Sequence, residues 1–215
     1  QKTQIEKAHH EITDSIHYAR RIQSAVLPSN EYIKKIIDNF FIFYRPRDVV
    51  SGDFYWVNKV DNTYIFIAAD CTGHGVPGAF MSLLGISLLN EIILENKILS
   101  PDIIINNLRE RLIKLLNPTN ENAELVRDGM DISVCTLNKE TKEIHFAGAN
   151  NKMLIVRTST NEIVELDADP MPAGYYEVMK PFNLQSINYT EGDIAVLFSD
   201  GYKDQFGGPN GKKFR

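Results

Sequence analysis

Cysteine is scarce: Cys71 and Cys135 are the only two in 215 residues. Thiols so far apart have no metal-ligand spacing. That excludes a disulfide framework or a zinc-finger pattern and fits a reducing, cytoplasmic setting. A basic surplus is also missing. Twenty-three Lys and Arg face 28 Asp and Glu, a net charge of -5, which excludes a broad nucleic-acid-binding surface. No apolar run reads as membrane-spanning and no signal peptide is present, so no direct membrane contact is expected. The chain has no Walker-type loop, which counts against a nucleotidyl cyclase or similar phosphotransferase. It has no Cys-His or Ser-His arrangement for covalent catalysis, and no internal repeat or low-complexity segment. What remains has an ordinary globular balance, 43% hydrophobic and 24% charged, enough for one sizeable core and a short extra segment.

What the chain does have is three aspartates in or next to apolar strands, Asp53 and Asp200 each beside a glycine and Asp70 ahead of a Gly-rich turn. Ala69-Asp70-Cys71-Thr72-Gly73-His74-Gly75 follows the β-branched and aromatic run Tyr64–Ile67 and leads, through Pro77-Gly78, into a long apolar helix. Glycines there permit a tight turn, and Pro77 suits a first helical turn. Val49-Val50-Ser51-Gly52-Asp53-Phe54-Tyr55-Trp56 and Phe198-Ser199-Asp200-Gly201 repeat the theme. Three carboxylates far apart in sequence but alike in setting point to convergence on one hard-cation site. Oxygen ligands suit magnesium or manganese, and a bridged pair of ions suits phosphoryl hydrolysis. The competing reading of each is a turn or capping Asp.

Residues 1–28 read as one helix, ended by Pro28. Ile5, Ile12, Ala19 and Val26 recur every seven residues, and Ala8, Ser15 and Ile22 form a second seam with Ser15 as its flaw. This is either a parallel coiled-coil stalk or an amphipathic helix packed on its own domain. Residues 29–39 read as a short helix or loop. Strands are expected at Phe40–Tyr44, at 49–57 carrying Asp53, and at Tyr64–Ala69, the last two as a hairpin about Asp61-Asn62. Helices are expected over Phe80–Asn96 and from the Ser100-Pro101-Asp102 start signal to about Asn117. Residues 119–127 read as a polar loop. Ile132–Leu137, Glu143–Ala149 and Lys152–Arg157 read as a meander, followed by strands at Ile163–Leu166, Phe182–Asn188 and Asp193–Ser199. Strands, two helices, then strands argue for an α+β sandwich.

The ordered set Arg45-Pro46, Ser51-Gly52-Asp53-Phe54-Tyr55-Trp56, Ala69 to Gly75, Asp128-Gly129-Met130-Asp131 and Phe198-Ser199-Asp200-Gly201 resembles the SpoIIE-type branch of the protein phosphatase 2C (PPM) family, from about Arg20 to the C-terminus. The resemblance implies two antiparallel β-sheets sandwiched between α-helices, here preceded by a long N-terminal helix. It implies a metal-dependent protein serine/threonine phosphatase using two Mn2+ or Mg2+ ions. Its metal ligands would be Asp53, Asp70, Asp200 and the backbone carbonyl of Cys71. The expected substrate is a phosphorylated signalling protein, in this branch usually an anti-sigma-factor antagonist. Residues 1–28 would be a linker that pairs two chains as a homodimer and carries a signal from an upstream sensory domain in the same chain; residues 29–215 would be the phosphatase domain. Metal ions can supply both charge neutralisation and an acidified water, so few other side chains are needed.

The remaining polar residues admit two readings each. Asp128 and Asp131 can hold outer-shell waters, a second ion or their own loop. His74 invites the role of general acid, or it holds the turn and caps the helix. Arg45 and Arg47 can clamp a phosphate, or be salt-bridged surface arginines. One departure matters: the family pattern places another metal-binding Asp near a C-terminal strand, and this chain stops before any such motif. The expectation is therefore of a domain truncated at its C-terminus, with an open sheet edge. The non-enzymatic alternative is a catalytically incomplete phosphatase fold acting as a dimeric signalling or binding module.

Overall fold

Residues 2–117, 125–201, 204, 206–207 and 212–213 are described by the structure, a computed structural model. Its sheets grow from a hairpin. Strand β1 (Phe54–Val60) and strand β2 (Thr63–Cys71) pair antiparallel, Val60 opposite Thr63 and Phe54 opposite Ala69. Asp61 takes φ 52° in the turn, a conformation that Asp tolerates better than most residues. Strands β3 (Gly129–Asn138), β4 (Glu143–Ala149) and β8 (Gln185–Asn188) extend this sheet in the order β1-β2-β3-β4-β8, and the two-residue β7 (Ala173–Gly174) pairs with the start of β3. A second sheet has the order β6-β5-β9, formed by β5 (Met153–Arg157), β6 (Glu162–Leu166) and β9 (Ile194–Leu197). Short strands β10 (Phe206–Gly207) and β11 (Lys212–Lys213) pair with each other.

Two apolar layers hold this together. One face of the larger sheet carries Ile65, Ile67, Ile132, Val134 and Ala147 against helix α3 (Gly75–Leu89) and helix α4 (Pro101–Leu116). From α4, Ile104, Ile105, Leu108 and Leu112 are fully buried there. Removal of each from water contributes about 1.5–3 kcal/mol. The other face carries Cys135, Ile144 and Phe146 against Met153, Ile155 and Leu166 of the smaller sheet. Strand alternation divides each strand between the two layers: Ile67 opposite Val134 faces the helices, and Phe66 opposite Cys135 faces the second sheet. These are the expected antiparallel sheets with helices.

The differences from expectation have local causes. Strand β4 does not continue as a meander. After Ala149 the chain turns at Asn150 (φ 56°), the Asn150 N–H bonds to the Asp169 carbonyl at 2.9 Å, and β5 crosses to the second sheet. Phe40–Tyr44 belongs to no strand ladder among the described residues. Tyr44 turns inward, its hydroxyl donating to the Asp53 carbonyl at 3.1 Å and its ring meeting Tyr55 edge-on. Strand β1 begins at Phe54 because the Asp53 N–H is taken by Ser51 Oγ at 3.0 Å. Helix α3 starts at Gly75, five residues earlier than expected, and past Leu89 widens into a π-helical segment, Asn90–Glu95, where the Asn90 side chain accepts from Trp56 Nε1 at 2.9 Å. Ser100 precedes α4 as foreseen, but its hydroxyl bonds to Asp102 rather than to a backbone amide. Of the expected loop 119–127, residues 119–124 lie outside the described residues. The stretch Gly75–Glu95 is long and apolar enough to cross a membrane, contrary to the sequence reading; here it packs in the core.

Helix α1 (Lys2–Val26) is the long N-terminal helix, and α2 (Asn30–Lys34) follows it with Ser29 Oγ capping the Tyr32 N–H at 3.1 Å. The heptad residues of α1 do not pack on the domain: Ile5 is 69% exposed and Ile12 62%.

Candidate active site

Three loops meet at one end of the larger sheet. Gly52, Gly73 and Gly78 let their backbones touch. A Cβ on Gly78 would lie 2.6 Å from the Gly73 carbonyl oxygen and 3.0 Å from Gly52 Cα. A Cβ on Gly52 would lie 2.9 Å from the Gly73 oxygen and 3.1 Å from the Cys71 oxygen. This close stacking sets the Asp53 turn against the Asp70–Gly75 turn. Gly78→Ala must push the two apart against backbone. It is expected to cost about 1–3 kcal/mol, read as a lower thermal midpoint.

The third loop comes from the end of β9. Ser199 Oγ donates to Asp53 Oδ2 at 2.9 Å, and a Cβ on Gly201 would stand 4.0 Å from that same oxygen. Asp200 is thereby carried to Asp53 and Asp70. The Asp70 carboxyl is pushed up to about 8 from an ordinary 3.8, first by burial and then by the facing carboxylates of Asp53 and Asp200. So the structure brings together the three aspartates that the sequence singled out. Among the described residues none of them has a Lys, Arg or His ion pair. Nor do any three His, Cys, Asp or Glu side chains there stand at the spacing of a completed metal site. Three carboxylates with no positive partner repel one another, so an open arrangement is expected of them. A divalent cation is the group that would let all three ionise together, and the donor set fits one.

The other expected residues line this end of the sheet. The Cys71 carbonyl lies against Gly52, while the Cys71 thiol is buried and pushed up by that burial and by Asp70 and Asp53, which removes it as a nucleophile. Asp131 sits directly across from Asp70 in the β2–β3 register and accepts from Asn150 Nδ2 at 2.8 Å. Asp128 accepts from the Thr72 hydroxyl at 2.9 Å, which in turn accepts from the Gly129 N–H at 3.0 Å. That network fixes the 128–129 turn beside the Asp70 turn. His74 occupies the N-cap position of α3 without capping it. Its Nδ1 lies 3.2 Å from Asp48 Oδ2, tying the 45–50 loop to the helix start. Arg45 and Arg47 are exposed on that loop, and among the described residues neither forms an ion pair.

Sequence reasoning assigned no role to Ser51, Ser199, Thr72 or Gln23. The first three lie inside the quoted motifs, where their hydroxyls were the available signal.

The family model for Stage II sporulation protein E (SpoIIE) matches residues 60–214. The chain belongs to the SpoIIE family. Asp70 and Asp200 lie inside that match, and Asp53 lies just ahead of it. The fold is also that of solved phosphatase 2C domains. The SiaA-PP2C domain of Pseudomonas aeruginosa superposes with a TM-score of 0.83 at 28% identity, over 96% of this chain and 79% of that one. The PP2C phosphatase domain of SpoIIE from Bacillus subtilis, with a fragment of its regulatory domain, gives 0.56 at 24% identity, over 73% and 43%. The S. agalactiae serine/threonine phosphatase gives 0.54 at 17%, over 75% and 77%. No curated protein matches the chain.

Proposed function

We propose that this SpoIIE-family domain is a metal-dependent phosphoprotein phosphatase acting on phosphoserine or phosphothreonine. The observation that carries the reading is the meeting of the half-buried Asp53, Asp70 and Asp200 with no cationic side chain paired to them among the described residues. These three, with the Cys71 carbonyl, would hold Mn2+ or Mg2+. A metal held there would supply charge neutralisation for a phosphate and a more acidic water. The chain's own residues do the arranging. Ser199 orients the Asp53 carboxylate, Thr72 and Asn150 hold Asp128 and Asp131 at the rim, and Arg45 and Arg47, exposed and without an ion pair among the described residues, would meet the phosphate. His74, paired with Asp48, holds the loop that carries those arginines. The proposed substrate is a phosphorylated anti-sigma-factor antagonist, a reading supported by the resemblance to the SpoIIE-type branch.

The test is hydrolysis of p-nitrophenyl phosphate with Mn2+, with Mg2+ and with chelator. Metal-dependent turnover, lost on chelation, is expected. No turnover under any condition returns the binding-module reading.

Helix α1 is proposed to pair two chains and pass on the state of an upstream sensory domain. Its support is the seam Ile5, Ile12, Ile22 and Val26, exposed in the single chain. Ile5→Asp with Ile12→Asp is expected to turn a dimer into a monomer in sedimentation equilibrium. The thermal midpoint of the sheet domain should stay the same.

A further inference from the structure

Among the described residues of α1, Gln23 is the one buried side chain, 4% exposed. Its amide is fully used. Oε1 accepts from the Ser51 N–H at 3.0 Å, and Nε2 donates to the Ser51 carbonyl at 2.6 Å and to Ser82 Oγ at 2.8 Å. One side chain thus takes both backbone groups of Ser51, as a strand partner would. The next link is short: the Ser51 hydroxyl accepts from the Asp53 N–H at 3.0 Å. Ser82 belongs to α3, the helix launched from the Asp70 turn, and its hydroxyl donates to the Ala79 carbonyl at 2.8 Å. Gln23 therefore touches both limbs of the carboxylate site, the turn before Asp53 and the helix after Asp70.

We infer that Gln23 is a positioning residue that makes the place of Asp53 depend on the place of α1. The physical argument is the short reach of a hydrogen bond. N–H···O contacts weaken steeply beyond about 3.2 Å, whereas a helix rises about 1.5 Å per residue. A slide of α1 by one residue, or a modest rotation, breaks all three bonds. Ser51 is then left with an unpaired N–H and carbonyl in a buried setting, and the turn must rearrange to satisfy them. Ile22 and Val26, exposed on the same helix, lie within one turn of Gln23. Whatever grips that seam fixes the register in which Gln23 meets Ser51. Burial of a polar amide among otherwise exposed or half-buried α1 residues is costly unless it is paired, so the pairing selects one docked position of the helix.

The catalytic consequence rests on the phosphatase reading, but the mechanical link does not. Gln23→Met keeps volume and helix propensity and removes all three bonds. Gln23→Glu keeps the shape and the acceptor for the Ser51 N–H, loses both donated bonds and sets a buried carboxylate against the Ser51 carbonyl. Two readouts are made on the whole chain: amide hydrogen exchange in metal-free protein, and Mn2+ affinity by calorimetry. In either variant the Ser51 and Asp53 amides are expected to exchange about tenfold faster or more, while α4 amides keep their protection. Mn2+ affinity is expected to fall about 10–100-fold, the range for residues that orient a metal ligand. Unchanged protection at Ser51 and Asp53 in a folded variant overturns the inference. So does a uniform loss across α4, which marks a structural role alone. An unaltered chain that shows no Mn2+-dependent hydrolysis counts against the phosphatase reading, and the exchange result still decides the link.

Discussion

Asp70→Asn is expected to abolish Mn2+-dependent hydrolysis of p-nitrophenyl phosphate, lowering kcat by about 1000-fold or more while the fold is kept. Asp70 stands at the end of β2, where Asp53 and Asp200 face it. Burial and the two facing carboxylates oppose its ionisation, so it gains from a cation. The amide keeps the shape and removes a negative charge, so a purely structural Asp would be replaced at little cost. The expected loss is large because a metal centre supplies both charge neutralisation and the acidified water. Steady-state rates with saturating Mn2+, set beside circular dichroism of the same sample, check it. Retained turnover would place the chemistry elsewhere.

The same residue makes metal-free protein sensitive to pH in a direction opposite to most carboxylates. The Asp70 carboxyl titrates near 8 in the fold and near 3.8 ordinarily. The folded chain therefore holds this proton more tightly than the unfolded chain. Its contribution to stability is complete below about pH 4, is lost as pH rises from 4 to 8, and is constant above. Asp70 is partly exposed, so solvent screening reduces the effect to about 1–2 kcal/mol rather than the full value of the shift. Thermal midpoints of chelated protein should fall across that window. The Asp70→Asn variant should lack this decline and be the more stable protein at pH 8. Adding Mn2+ to the unaltered chain should reverse the order, since a cation favours the ionised carboxylate. Parallel pH profiles for the two proteins would contradict the clustering of the three carboxylates.

The site could be read in the chain because its parts are local. Each aspartate sits in or next to an apolar strand, beside a glycine at Asp53 and Asp200 and ahead of a Gly-rich turn at Asp70, and that pattern is visible without knowing where the strand goes. The β1–β2 hairpin and both core helices were legible for the same reason: a turn at Asp61-Asn62, a proline at the start of α4, apolar residues at helical spacing. The crossover after Ala149 was not. Strand β5 has the same alternation whether it pairs with β4 or starts another sheet, and the choice is made by Asn150 bonding to Asp169, nineteen residues away. Phe40–Tyr44 has strand composition, but a strand needs a neighbour's hydrogen bonds, and composition does not supply them. Gln23 had no sequence signal at all. A single glutamine on a helix is normally solvated, and its importance lies in what folds up against it.

The measurement that tests the central claim most directly is a calorimetric titration of Mn2+ into the chelator-treated chain and into its Asp53→Asn, Asp70→Asn and Asp200→Asn variants. One shared site predicts saturable binding by the unaltered chain and a large loss in every variant, although the three residues come from positions 53, 70 and 200. No binding by the unaltered chain, or full binding by any one variant, would contradict it.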